Sequence, residues 1–144
     1  MKRASTLTQS RLCSSFHASN ETDLLQVLKG YAEAGNAHDI DGMMSFIAAD
    51  CEFYSSTGPD VSGTRYIGSE KVREGLLSFL GICPDGQWRN LRYFVSGDRG
   101  VIEWTFIGAT PADGAIAVNG CDLITFKGGK IAIKDSHRKN RTAS

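Results

Sequence analysis

The sequence predicts an α+β domain in which three N-terminal helices close a strongly curved antiparallel sheet of four long strands and one short one. Three observations carry that expectation. Apolar residues recur at helical spacing in three stretches of the first half. Alternation typical of strands runs through four stretches of the second half, with Gly-, Pro- and Asp-rich breaks between them. Helices collected on one face of such a sheet give an α+β layer arrangement, here a cone with a pocket at its open end.

The first helix is expected from Asn20, a good cap with Asp23 three residues on. Leu24, Val27, Leu28, Tyr31 and Gly35 define its inward face, and Gly35-Asn36-Ala37-His38 ends it. A second helix is expected from about Asp39 to Ala49, with Ile40, Met43, Met44 and Ile47 apolar. Asp50 to Ser55 then alternates as a short strand, with Cys51, Phe53 and Ser55 facing one way. Thr57-Gly58-Pro59-Asp60 reads as a turn and Ser62 to Tyr66 as a small irregular hairpin or lid. Ser69 is expected to cap the third helix, whose apolar face is Val72, Leu76, Leu77, Phe79 and Leu80. Strands follow at Gln87 to Ser96, Val101 to Thr110 and Ala115 to Phe126. In the middle one Ile102, Trp104 and Phe106 share a face, while Val101, Glu103, Thr105 and Ile107 share the other.

The last hairpin, Gly120 to Arg138, turns at Lys127-Gly128-Gly129. A two-residue loop would set Lys127 against Lys130 and Asp122 against Asp135, which opposes like charges twice. A three-residue loop ending in a positive-φ Gly129 pairs Ile124 with Ala132 and Asp122 with Lys134, and is the register expected. One face then carries Gly120, Asp122, Ile124, Phe126, Lys134, Ser136 and Arg138. The other carries Cys121, Leu123, Thr125, Ile131, Ile133, Asp135 and His137. The first mixes apolar residues with an acid and two bases, as the wall of a polar-ended pocket does. The second is apolar in its middle and needs a cover, which points to a homodimer through the outer sheet face.

The 144 residues make one domain, Asn20 to Arg138, between an arm at residues 1–19 and a basic tail at 139–144. The arm holds Lys2, Arg3 and Arg11, many Ser and Thr, and no acid. It reads as a flexible terminus of a cytoplasmic protein or, alternatively, as a transit peptide for an organelle matrix. A formal net charge of zero gives no sign of nucleic acid or membrane as partner, and no apolar run reaches the ~20 residues of a bilayer span. The four cysteines (Cys13, Cys51, Cys83, Cys121) lack metal-ligand spacing, so neither a metal nor a disulfide framework is expected. No motif for a cofactor is present.

Four motifs carry a family resemblance. They are Tyr31 to Gly42 (a tyrosine, then Asn-Ala-His-Asp-Ile-Asp), Phe46 to Phe53, Gly68 to Val72, and Asp122 to Ile131. In this order and spacing the chain resembles the nuclear-transport-factor-two-like superfamily, in its SnoaL-like and ketosteroid-isomerase-like branch. The resemblance covers about Asn20 to Arg138. It implies a cystatin-like α+β barrel, a homodimer, and a scaffold that hosts isomerases, cyclases, dehydratases and non-enzymatic binders. In the isomerases a helix-one tyrosine and a protonated aspartic acid, kept neutral by its apolar site, form the oxyanion hole. Tyr31 and Asp122 stand at those motif positions. The isomerases' general base falls at Ser55, which cannot take a carbon-bound proton without a base beside it. The Asp-Arg-Asp set of the family's epoxide hydrolases is absent, because Trp104-Thr105-Phe106 and Ser136 stand there.

The expected site thus has Asp122, Tyr31 and Lys134 as catalytic groups. Phe53, Ser55, Trp104, Phe106, Val118, Ile124, Ser136 and Arg138 would bind the ligand. Asp122 would serve as acid or base, with Tyr31 and Lys134 stabilising oxyanion charge on a small, largely apolar carbonyl compound. Two other readings stand beside it. The same cone could hold a ligand without reacting it, or it could be filled by side chains, with Asp122, Lys134 and Arg138 forming a structural ion network. His38 reads as a cap or surface residue, and His137 as part of the outer face.

Overall fold

The computed structural model describes residues 20–142, so the reading of residues 1–19 lies outside the described part. Helix α1 is described over 20–36 and is followed by α2 (Ile40–Ser45), β1 (Ile47–Tyr54) and β2 (Arg65–Ile67). Next come α3 (Ser69–Ile82), β3 (Gln87–Ser96), β4 (Arg99–Thr110), β5 (Gly114–Lys127) and β6 (Lys130–Arg138). The class is α+β, with the helices leading and the sheet dominating.

Each helix boundary has a local cause. Asn20 is already helical, so it is not the cap expected of it. Leu24, Leu28, Tyr31 and Ala32 are buried along the inward stripe of α1. His38 takes a positive φ of 55°, and its Nε2 lies 2.8 Å from the Gly86 carbonyl oxygen, tying the α1–α2 corner to the loop before β3. Asp39 caps α2 by accepting from the Gly42 N–H at 3.0 Å. That helix stops at Ser45 rather than Ala49 because the chain leaves to join the sheet: the Phe46 carbonyl accepts the Ile131 N–H at 2.9 Å. The cap residue of α3 is Gly68 at φ 89°, not Ser69, and Leu77 is 44% exposed rather than inward.

The six strands lie in the order β2-β1-β6-β5-β4-β3. The expectation of five strands, all antiparallel, is corrected in two ways. Arg65–Ile67 forms a true edge strand on β1, and β1 runs parallel to β6, with Phe53 beside Lys134. Alternation in a sequence tells which face a side chain takes but not which strand lies next door. The sheet is not closed into a barrel, since β2 and β3 remain its two edges.

The last hairpin corrects the expected register. Gly128 and Gly129 both have positive φ, at 60° and 77°, and make a two-residue loop that sets Lys127 opposite Lys130. Lys127 then reaches Asp50 at 3.3 Å, which offsets the repulsion. A bulge follows between Thr125 and Phe126, so Thr125 pairs with Ile133, Ile124 with Lys134, and Asp122 with Ser136. The avoidance of Asp122 against Asp135 holds, but a bulge at Ala132 achieves it instead of a longer loop. The two-residue loop also turns Ile131, expected on the outer face, into the core beside Phe126.

One continuous core fills the space between helices and sheet, centred on Leu28, Ile102, Ile124, Phe126 and Ile131. On the opposite face Val101, Thr105, Leu123 and Ile133 are half-buried, while Phe94 and Ile107 are exposed. Among the described residues no helix is long and apolar enough to cross a membrane.

Candidate functional site

Strand alternation and the Ala132 bulge together put Asp122, Lys134, Ser136 and Arg138 on the inner face of the last hairpin. Asp122 and Lys134 are nearly sealed, at 4% and 9% exposure. They are diagonal neighbours rather than a directly opposed pair. The Ser136 hydroxyl donates to Asp122 Oδ1 at 2.7 Å, and Lys134 Nζ lies 3.9 Å from Asp122 Oδ2. The ammonium also rests over two rings, 4.7 Å from the Phe53 centroid and 5.5 Å from that of Tyr31. Burial alone would depress Lys134, but the Asp122 carboxylate and the Tyr31 oxygen outweigh it and hold the ammonium above its ordinary value. Burial pushes the Tyr31 phenol up; Lys134 opposes that shift and Asp122 adds to it. Tyr31 therefore enters chemistry as a neutral donor.

Two buried groups have no partner among the described residues, the Tyr31 hydroxyl and the Trp104 indole N–H. An unpaired buried donor costs about 1–3 kcal/mol, so two of them at one site call for an acceptor from elsewhere. Trp104 owes its position to Gly120, its cross-strand neighbour: a Cβ there would collide with the indole ring and the His137 carbonyl oxygen.

Around this polar end lies a cavity of about 40 Å³, lined by Phe53, Ser55, Trp104, Phe106, Ser136 and Arg138 together with Asp122 and Lys134. A single water needs roughly 10–15 Å³, so the space holds a few waters as it stands. Tyr31 lines a smaller inner chamber of about 20 Å³ that shares Met43, Trp88, Trp104, Asp122 and Lys134 with the first. Two expected lining residues are elsewhere. Val118, opposite Phe106, and Ile124, which is fully enclosed, line neither chamber. Residues not anticipated at the site are Met43 of α2, Leu76, Phe79 and Leu80 of α3, and Trp88 of β3. Phe79, Trp88 and Phe106 form one aromatic cluster with centroids 5.1–5.7 Å apart. The helical stripes showed that these side chains are inward, but not that they end at a cavity.

Ser55 stands at the rim just past β1, where its N–H donates to the Thr64 carbonyl at 2.9 Å. No carboxylate joins it among the cavity residues other than Asp122. Glu103 is exposed and faces Arg92 at 3.7 Å, and His137 is exposed beside Asp135. Cys51 and Cys83 are buried and Cys121 half-buried; burial raises all three thiols, which argues against nucleophilic use. Among the described residues no three His, Cys, Asp or Glu side chains are grouped to hold a metal.

Residues 28–133 match the family model of the SnoaL-like domain. Solved structures share the fold. A polyketide-cyclase candidate from Xanthomonas campestris pv. campestris superposes with a TM-score of 0.74 at 23% identity, over 85% of this chain and 93% of that one. An NTF2-like protein of unknown function from Mesorhizobium loti gives 0.69 at 22% identity, over 83% and 93%. A protein of unknown function with a cystatin-like fold, also from Xanthomonas campestris, gives 0.71 at 19%, over 81% and 91%. None of the curated proteins matches the chain.

Proposed function

Because the chain belongs to the SnoaL-like domain family, we propose that it is a cofactor-free proton-transfer enzyme acting on a compact, largely apolar carbonyl compound. The observation that carries the reading is the Asp122–Lys134 pair, buried at the polar end of an aromatic-walled cavity. Asp122 takes a proton from the carbon next to the carbonyl. The C–H electron pair moves onto the carbonyl oxygen as an enolate. Lys134, whose one carboxylate contact is a long 3.9 Å, has N–H groups left to face that oxygen, and the Tyr31 hydroxyl supplies a second donor. Asp122 then returns the proton to a different carbon of the conjugated enolate, which makes the reaction an isomerisation. Where the enolate carbon instead attacks a second carbonyl of the same molecule, that carbonyl's oxygen takes the proton from Asp122 and a ring closes. Ser136 holds the carboxylate from its other oxygen and fixes its orientation.

The test is hydrogen exchange. In deuterated buffer the protein should speed deuterium incorporation next to the carbonyl of aryl methyl ketones, read by mass spectrometry. Asp122→Asn should lower that rate by about 10²–10⁴-fold while the ketone still binds. A second reading, binding without reaction, is favoured by Ser55 in place of the relatives' base. Saturable binding with exchange at the solvent rate would select it.

The half-buried outer face is further read as the seat of a homodimer. Val101, Leu123 and Ile133 with exposed Phe94 and Ile107 make an apolar strip along β3 to β6 that a lone surface would leave uncovered.

A further inference from the structure

We propose that the ligand of this cavity is a flat monoanion: an aromatic carboxylate bearing a carbonyl oxygen at its far end. This rests on the reading of the cavity as a small-molecule site and adds the charge and polarity of what enters it. The cavity lining carries two cations, Lys134 and Arg138, and one carboxylate, Asp122. Lys134 and Asp122 already face each other. Arg138 has no ion-pair partner among the described residues, so its positive charge is the one left over. It stands near the end of β6 with one side on the aromatic cavity and the other on a polar groove of about 480 Å³. Lys139 and Arg141 line that groove too, against Asp113 as its one acid. A cationic approach leading to a low-dielectric aromatic wall draws in anions and favours them at the mouth.

Hydrogen-bonding capacity points the same way. The indole N–H of Trp104 can only donate, and the Tyr31 hydroxyl is an unused donor close to a cation. Both oxygens of Asp122 are engaged, one by Ser136 and one by Lys134. The complement to such a lining is a molecule rich in acceptors and poor in donors. Spacing sets its placement. Lys134, Ser136 and Arg138 alternate on one face of β6, so Lys134 and Arg138 are roughly 13 Å apart at their Cα atoms. That spacing leaves Arg138 at the mouth, so the carboxylate stays there, over the groove, and only the carbonyl end enters the small chamber towards Lys134 and Tyr31. The tilted rings of Phe79, Trp88 and Phe106 offer the flat body edge and face contacts.

An acetyl-substituted benzoic acid and its methyl ester make the test pair, titrated at low salt against the fluorescence of Trp88 and Trp104. The acid should bind wild-type protein about five- to tenfold more tightly than the ester. Arg138→Gln, at an exposed position, should bring the acid down to the ester's affinity and leave the ester unchanged. Saturable binding of acid and ester with equal affinity overturns the proposal and leaves the cavity reading intact. An equal weakening of both by Arg138→Gln also overturns it. No saturable quenching by either compound at millimolar concentration overturns the proposal and the cavity reading together.

Discussion

Lys134 is the residue whose removal tells most about the site. Its ammonium is buried against one carboxylate and two aromatic rings. Lys134→Met leaves Asp122 enclosed without its cation, and breaking a buried pair in this way costs about 3–5 kcal/mol. Urea denaturation should show that loss, and the double variant Asp122→Leu/Lys134→Met should recover most of it, because no charge is then stranded. The pH response has a definite sign. Both Lys134 and Tyr31 hold their protons more tightly folded than unfolded, since their values are raised above the ordinary 10.5 and 10.0. Their contribution is complete below those ordinary values and is lost as pH rises through the folded ones. Melting temperature should therefore fall on the alkaline side, from about pH 10 upward, and fall less steeply in the Lys134→Met variant than in wild type. An unchanged alkaline limb in that variant would remove Lys134 from the account.

Among the elements, the β5–β6 hairpin decides what reaches the cavity, and a single extra residue sets it. Were Ala132 paired in step rather than bulged, the two-residue loop would place Leu123 opposite Lys134 and Asp122 opposite Asp135. Lys134 would then point to the outer face. Deleting Ala132 removes the bulge yet keeps Thr125 opposite Ile133 and Asp122 opposite Ser136, so ligand quenching should survive it. Inserting an alanine after Ile133 should instead turn Lys134 outward, abolish quenching and cost far more stability on the same denaturation curve. The same element shows what a sequence can and cannot reveal. That Asp122, Ser136 and Arg138 share a face with Trp104 and Phe106 was legible, since alternation has a period of two and survives any choice of partner. The bulge was not, because a longer loop and a bulge relieve the same charge clash and leave the same faces from Ile133 onward. Nor was the parallel pairing of β1 with β6, or the share of Phe79 and Trp88 in the cavity: both depend on which distant segments meet, and helix or strand period carries no information on that. Motif and alternation brought Tyr31, Asp122 and Lys134 to one place; Met43 and Leu76 looked like any other core residue.

At the scale of the whole molecule the sheet has one face packed by helices and one left uncovered by the described residues. The proposed homodimer would use the uncovered face, and Leu123 lies in its middle, between Val101 and Asp135. Sedimentation at micromolar concentration should give a dimer for wild type and a monomer for Leu123→Lys, with the far-ultraviolet spectrum preserved. A wild-type monomer would withdraw the outer face as an interface and leave the cavity untouched.

The parallel seam between β1 and β6 bears on how the chain is made. Ile47 must find Ile131, and Phe53 must find Lys134, across roughly eighty intervening residues. At a synthesis rate of roughly 5–20 residues per second, β1 waits about 4–16 s after leaving the ribosome before its neighbour exists. Throughout that interval the β6-facing edge of β1 is unpaired, and near its end that of β5 is too. Unpaired edges are the feature that recruits other nascent chains. A ribosome stalled before β6 should yield a protease-sensitive, chaperone-bound chain, whatever stability the finished domain attains.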